Sequence, residues 1–142
     1  MIEKRYLRSI RLLAECMQLF EQASSKRVRA LGLTESQFDI IATLGNTPGM
    51  TCKELGEKTL ITKGTLTGVL ERLEAKGLIQ RDRGEDRRQT FIKLSSEGEA
   101  CFEQTFPHIV SQGRQAFSEY QTEDFEALET QLAKLKATLA RS

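Results

Sequence analysis

Apolar residues recur at helical spacing over residues 4–30, where Leu7, Ile10, Ala14, Met17, Leu19 and Phe20 alternate with basic and polar positions. Leu31, Gly32 and Leu33 break that pattern. Thr34 then stands three residues before Gln37, a capping-box spacing that predicts a helix with Phe38, Ile41, Ala42 and Leu44 on its apolar side. Residues 45–49, Gly-Asn-Thr-Pro-Gly, form the strongest loop signal in the chain. Thr51 and Glu54 repeat the capping spacing and open a short helix to about Lys58. After a brief turn, Thr62 is placed to cap a helix over 63–76. Its Leu66, Val69, Leu70 and Leu73 make an i, i+3, i+4, i+7 stripe, and Gly77 stands where a left-handed C-cap is wanted.

The period then changes from helix to strand. Segments 78–83 and 89–94 bracket a charged tip at 84–88 and read as a two-stranded hairpin. Residues 95–99, Ser-Ser-Glu-Gly-Glu, are a third cap, leading into a helix to roughly Tyr120 that Pro107 is expected to kink or interrupt. Thr122 starts a last helix, with Phe125, Leu128, Leu132, Leu135 and Leu139 spaced 3-4-3-4. The expected fold class is mainly α with a small β-hairpin wing, built as a winged helix-turn-helix with long N- and C-terminal helices.

Composition narrows the function classes. The 142 residues are 39% hydrophobic and 29% charged, which suits a folded globular chain. No apolar run approaches bilayer length, and the charged N-terminus lacks the apolar core of a secretory signal. A cytoplasmic protein with no membrane partner is expected. Cys16, Cys52 and Cys101 are too few and too scattered for a disulfide framework, and His108 is the single histidine. No metal-ligand spacing, phosphate-binding glycine loop or nucleophile motif is present, so neither cofactor nor enzymatic activity is expected.

Net charge is only +1, but it is unevenly spread. Residues 51–94 hold ten basic and seven acidic side chains, whereas residues 95–142 hold four basic and eight acidic ones. The middle of the chain is the part suited to a polyanion.

Two short helices, a tight turn and a hairpin, in that order, point to double-stranded DNA. In the second short helix the leucine and valine stripe faces inward. Lys63, Thr65, Thr67 and Arg72 are left outward, with Thr62 at the cap: hydroxyls suit base edges and cations suit phosphates. At the hairpin tip Arg83, Arg87 and Arg88 surround Asp86. An arginine on a narrow β-tip can enter a minor groove, and a neighbouring carboxylate can orient its guanidinium.

These residues resemble the MarR-type regulators. The matching pieces are E-L-G at 54–56, T-K-G-T-L-T at 62–67, V-L-E-R-L-E-A-K-G-L-I at 69–79, D-R-R at 86–88 and L-S-S-E-G at 94–98. The resemblance covers nearly the whole chain, and the combined pattern is far more specific than any one piece. It implies a single domain over 1–142, with residues 34–94 as the DNA-binding lobe and 1–33 and 95–142 as dimerisation helices. It further implies a homodimeric transcriptional regulator, a repressor in the usual case, on a pseudo-palindromic operator. Asp86 and Arg88 match the wing's Asp-x-Arg pair, with Arg88 in the minor groove and Arg87 on phosphate. Gly68 departs from the larger, often basic residue the family carries there, so no base preference is inherited.

The resemblance also implies a small aromatic or amphipathic effector between the dimer helices and the DNA-binding lobe. Cys16 falls where the peroxide-sensing branch keeps its reactive thiol. That branch supplies tyrosines from the second helix, and residues 34–45 contain none. Cys16 is therefore read as a buried packing residue, with a thiol-based redox sensor as the alternative. A second alternative is a helical interaction protein that has lost DNA binding, to which Gly64 and Gly68 lend slight support and against which the arginine-rich tip counts.

Overall fold

The computed structural model describes residues 2–83 and 90–142. A short 3-10 turn, Ile2–Lys4, leads into α1 (Arg5–Ala30), followed by α2 (Glu35–Leu44), β1 (Met50–Thr51), α3 (Cys52–Thr59) and α4 (Lys63–Ala75). Strands β2 (Ile79–Arg83) and β3 (Thr90–Leu94) come next, then α5 (Ser96–Ala116) and α6 (Thr122–Ala140). The chain divides into two compact units, Met1–Ile109 and Val110–Ser142.

In the first unit the caps act much as their spacing predicts. Thr34 Oγ1 accepts the Gln37 amide and Gln37 Oε1 accepts the Thr34 amide, both at 3.2 Å, closing the capping box of α2. Thr51 Oγ1 accepts the Glu54 amide at 3.2 Å, but the return arm differs: Glu54 Oε1 takes the Thr51 hydroxyl instead of its backbone N–H. Thr62 is the N-cap of α4 by position alone, because its hydroxyl donates to Thr65 Oγ1 at 3.2 Å and caps no amide. Gly77, at φ +75°, ends α4 in the left-handed region.

The core of this unit is the meeting of α2, α3, α4 and the sheet. Ile40, Ile41 and Leu44 of α2, Leu55 of α3, Leu70 and Leu73 of α4 and Ile92 of β3 are all fully buried. Each such aliphatic side chain contributes roughly 1.5–3 kcal/mol by leaving water. Among the described residues the sheet has three strands where two were expected: β1 joins as an edge, in the order β1-β3-β2. Met50 lies opposite Ile92 and Thr51 opposite Phe91, in antiparallel register. A strand of two residues carries no periodicity of its own, and its partner lies some forty residues on.

The helix α5 runs through Pro107 without interruption. Proline removes one donor, to the carbonyl of Glu103, and both residues are exposed, where solvent can satisfy a freed acceptor. In the second unit Phe117, Tyr120 and Phe125 form an aromatic cluster, with ring centroids 5.0–5.6 Å apart. The α6 helix has no buried residue, and Phe125, Leu128, Leu132 and Leu139 are exposed.

Leu60, between α3 and α4, holds φ +62° while its side chain is 87% exposed. A left-handed non-glycine residue costs roughly 1–2 kcal/mol, and this one recovers little by packing. Leu60→Gly should therefore raise stability by roughly 0.5–1 kcal/mol once the extra entropy of glycine is deducted, read by urea unfolding. A less stable variant would contradict this reading of the turn.

Candidate nucleic-acid interface

The two faces of α4 divide as the stripe predicts. Leu66, Val69, Leu70 and Leu73 are buried, and Lys63 and Thr67 on one flank of that stripe and Thr65 and Arg72 on the other are exposed. The Thr65 hydroxyl accepts from Thr62, leaving its own proton free to donate outward. Thr67 Oγ1 lies 3.5 Å from the Lys63 carbonyl, a contact too long to hold the hydroxyl firmly. Gly64 and Gly68 leave this face low: a β-carbon at either would meet nothing within 4 Å. The packing thus does not demand a glycine at 68, and the departure from the family pattern removes side-chain surface from the exposed face.

Beside α4 a cleft of about 720 Å³ runs between α3 and the sheet. Lys53, Lys63, Thr67, Arg81 and Thr90 line it, with Cys52 and Glu57. Arg81 was not singled out in the sequence. It lies opposite Ile92 in the β2–β3 ladder, two residues after buried Ile79, so strand alternation turns it inward. Its Nε lies 3.5 Å from Glu74 Oε2 of α4, a loose ion pair between helix and sheet. Nε and Nη2 are buried and meet no hydrogen-bond acceptor among the described residues. The i, i+2 spacing from Ile79 was the available signal.

The backbone of Arg83 pairs with Thr90, the last pair of the β2–β3 ladder before the segment that joins the two strands. Asp86, Arg87 and Arg88, and the side chain of Arg83, lie outside the described residues.

Cys16 corrects the sequence reading, for it is exposed on α1. Val28 is the only buried residue of α1 among those described. Leu7, Met17 and Phe20 are exposed as well. Cys52 and Cys101 are half-buried against the core, as expected of packing residues. Burial pushes the Cys101 thiol above its ordinary value, although a hydrogen bond with Thr105 opposes this, so a reactive thiolate is disfavoured there. Among the described residues no cluster of potential metal ligands occurs, and no helix is long and apolar enough to cross a membrane.

A helix-turn-helix followed by a hairpin, with hydroxyls and cations on the outer face of its second helix, defines a winged-helix DNA-binding regulator. Comparison with known proteins agrees. The MarR family pattern matches residues 33–90. The homoprotocatechuate degradative operon repressor of Escherichia coli is 31% identical over 102 residues, spanning 71% of this chain and 69% of its own. AbsC, a MarR family transcriptional regulator from Streptomyces coelicolor, superposes with a TM-score of 0.83 at 26% identity, covering 94% of this chain and 93% of that one. NadR in complex with 4-hydroxyphenylacetate gives a TM-score of 0.74 at 26% identity, covering 87% and 88%. The chain belongs to the MarR family. It is a DNA-binding transcriptional regulator, in a family whose members are not enzymes.

Proposed function

We propose that the chain is a cytoplasmic repressor that binds a pseudo-palindromic operator as a homodimer, with α4 in the major groove and the β2–β3 wing in the adjacent minor groove. In this reading residues 1–142 are one domain, 34–94 being the DNA-binding lobe and 1–33 and 95–142 the dimerisation helices. The carrying observation is the exposed surface of α4, where Lys63, Thr65, Thr67 and Arg72 stand out on the two flanks of a packed stripe. An ordinary surface helix has no need to assemble hydroxyls and cations beside a cleft lined by three further or shared cations, Lys53, Lys63 and Arg81. The bare apolar residues of α1 and α6 support a second copy as their cover, since surfaces of this kind on one chain mark an interface. An aromatic effector is supported by the two relatives whose names carry homoprotocatechuate and 4-hydroxyphenylacetate.

Groove contacts and phosphate contacts predict different losses. Thr65→Ala and Thr67→Ala should each lower the ratio of operator to random-duplex affinity, because they remove hydrogen bonds to base edges. Arg72→Ala should weaken both duplexes by a similar factor and reduce the salt slope by about 1, as expected of one lost phosphate contact. Fluorescence anisotropy on both duplexes over a salt series reads all three. If both threonine variants discriminate as well as the parent, α4 does not read the bases through this face.

A further inference from the structure

The end of α4 remote from Lys63 is tied to two other helices. Lys76, its C-cap, donates from Nζ to the Gly32 carbonyl at 2.6 Å and to Gln37 Oε1 at 2.9 Å. Gly32 forms the α1–α2 corner at φ +75°. Gln37 is buried, and the same Oε1 accepts the Thr34 amide in the α2 capping box. One residue beyond Lys76, the Gly77 carbonyl accepts the Ser95 hydroxyl at 2.6 Å, and Ser95 Oγ accepts the Gly98 amide at 3.0 Å in the first turn of α5. The α1–α2 corner and the start of α5 therefore converge on adjacent residues at the C-terminal end of α4.

An ammonium suits this position. It supplies three donors and no acceptor, its bonds to the two oxygens are charge-assisted, and the negative end of the α4 dipole favours a cation. The geometry also gives it leverage. From residue 76 back to residue 63, α4 is a lever of about 20 Å at 1.5 Å per residue. A tilt of about 5° at Lys76 would shift Lys63 by about 2 Å, over half the 3.4 Å rise between bases of one strand.

We propose that Lys76 is a positioning residue for DNA recognition: it fixes the direction of α4 relative to the α1–α2 corner, and so the spacing of the two α4 helices across a dimer. The inference rests on the dimeric reading above. Without the ammonium, α4 keeps its packed stripe but is free to tilt about its C-terminal end. Specific binding then loses its strict dependence on half-site spacing, while contact with the DNA backbone persists.

The test uses the full chain and three duplexes: an operator selected from native genomic fragments, and the same operator with its half-sites one base pair closer or farther apart. The parent should prefer the natural spacing. Lys76→Met keeps the length of the side chain and removes its donors. It should retain parental helicity and sedimentation, lose on the order of tenfold in affinity for the natural spacing, and bind the three duplexes more nearly alike. Lys76→Arg restores donors and should recover most of the preference, which a merely structural loss in the methionine variant would not predict. A dimeric parent whose spacing preference survives intact in Lys76→Met overturns the proposal, as does an equal loss on all three duplexes and on random DNA. A monomeric parent, or one indifferent to spacing, overturns the dimeric reading and this proposal with it.

Discussion

Gly98→Ala lowers the stability of the fold by on the order of 3 kcal/mol, the upper end of what overpacking by one methyl costs. Gly98 is buried in the first turn of α5, and an added β-carbon would collide with the Leu78 carbonyl oxygen. It would also lie 3.1 Å from the Leu78 carbonyl carbon and 3.2 Å from Leu94 Cδ2. The obstacle is backbone at the start of the sheet, so no rotamer change relieves it. Leu78 O already accepts the Ser95 amide at 3.0 Å, and moving it disturbs the junction that joins α4, the sheet and α5. Gly68→Ala is the opposite case: its β-carbon meets nothing within 4 Å, and it should gain about 0.5–1 kcal/mol of helix propensity. Thermal unfolding should place the two variants on opposite sides of the parent. If Gly98→Ala unfolds with the parent, the close approach of α5 to Leu78 is not a feature of the protein in solution.

Arg88→Ala should cost operator affinity on the order of 1–3 kcal/mol, as for the loss of one good groove contact. Its warrant is the arginine-rich segment joining β2 to β3 and its match to the family's Asp-x-Arg pattern. A guanidinium in a narrow minor groove gains from the negative potential concentrated there. Arg88→Lys should recover only part of the loss, because lysine cannot make the bidentate pair with Asp86. Asp86→Ala should then be harmful only while Arg88 is present. In a double-mutant cycle on operator affinity the pair should show a coupling above about 0.5 kcal/mol. Additive losses would make Asp86 an ordinary turn residue and the wing a phosphate clamp without sequence preference.

Local interactions made the helices legible. The Thr34–Gln37 box, the α4 stripe and the left-handed Gly77 each depend on residues within a turn or two of one another. What escaped the sequence depends on distant partners. Two-residue β1 exists because Met50 finds Ile92, and Arg81 acquires its setting from Glu74 and the far side of the cleft. Lys76 reads as a solvated helix-end lysine until Gly32, 44 positions away, is brought to its ammonium. Cys16 escapes for a different reason: the lack of tyrosines at 34–45 bears on thiolate stabilisation, and says nothing of whether the same chain covers position 16.

The interface was legible in part. The exposed residues of α4 follow from helical geometry alone, since the positions between a buried i, i+3, i+4, i+7 stripe must face away. The cleft beside it brings together α3, α4 and residues from all three strands of the sheet, and no linear pattern announces that.

The central claim, a two-fold protein reading a two-fold site, is tested most directly by sedimentation of the protein with a duplex selected from native genomic fragments. The protein alone should sediment as a dimer at micromolar concentration, since α1 and α6 leave apolar surface uncovered on a single chain. On DNA two protomers should bind one pseudo-palindromic site, with half-sites about one helical turn, ~10 bp, apart, and affinity should fall steeply with salt. A stable monomer of native helicity, or a complex that forms equally well on every duplex and at every salt concentration, would contradict it.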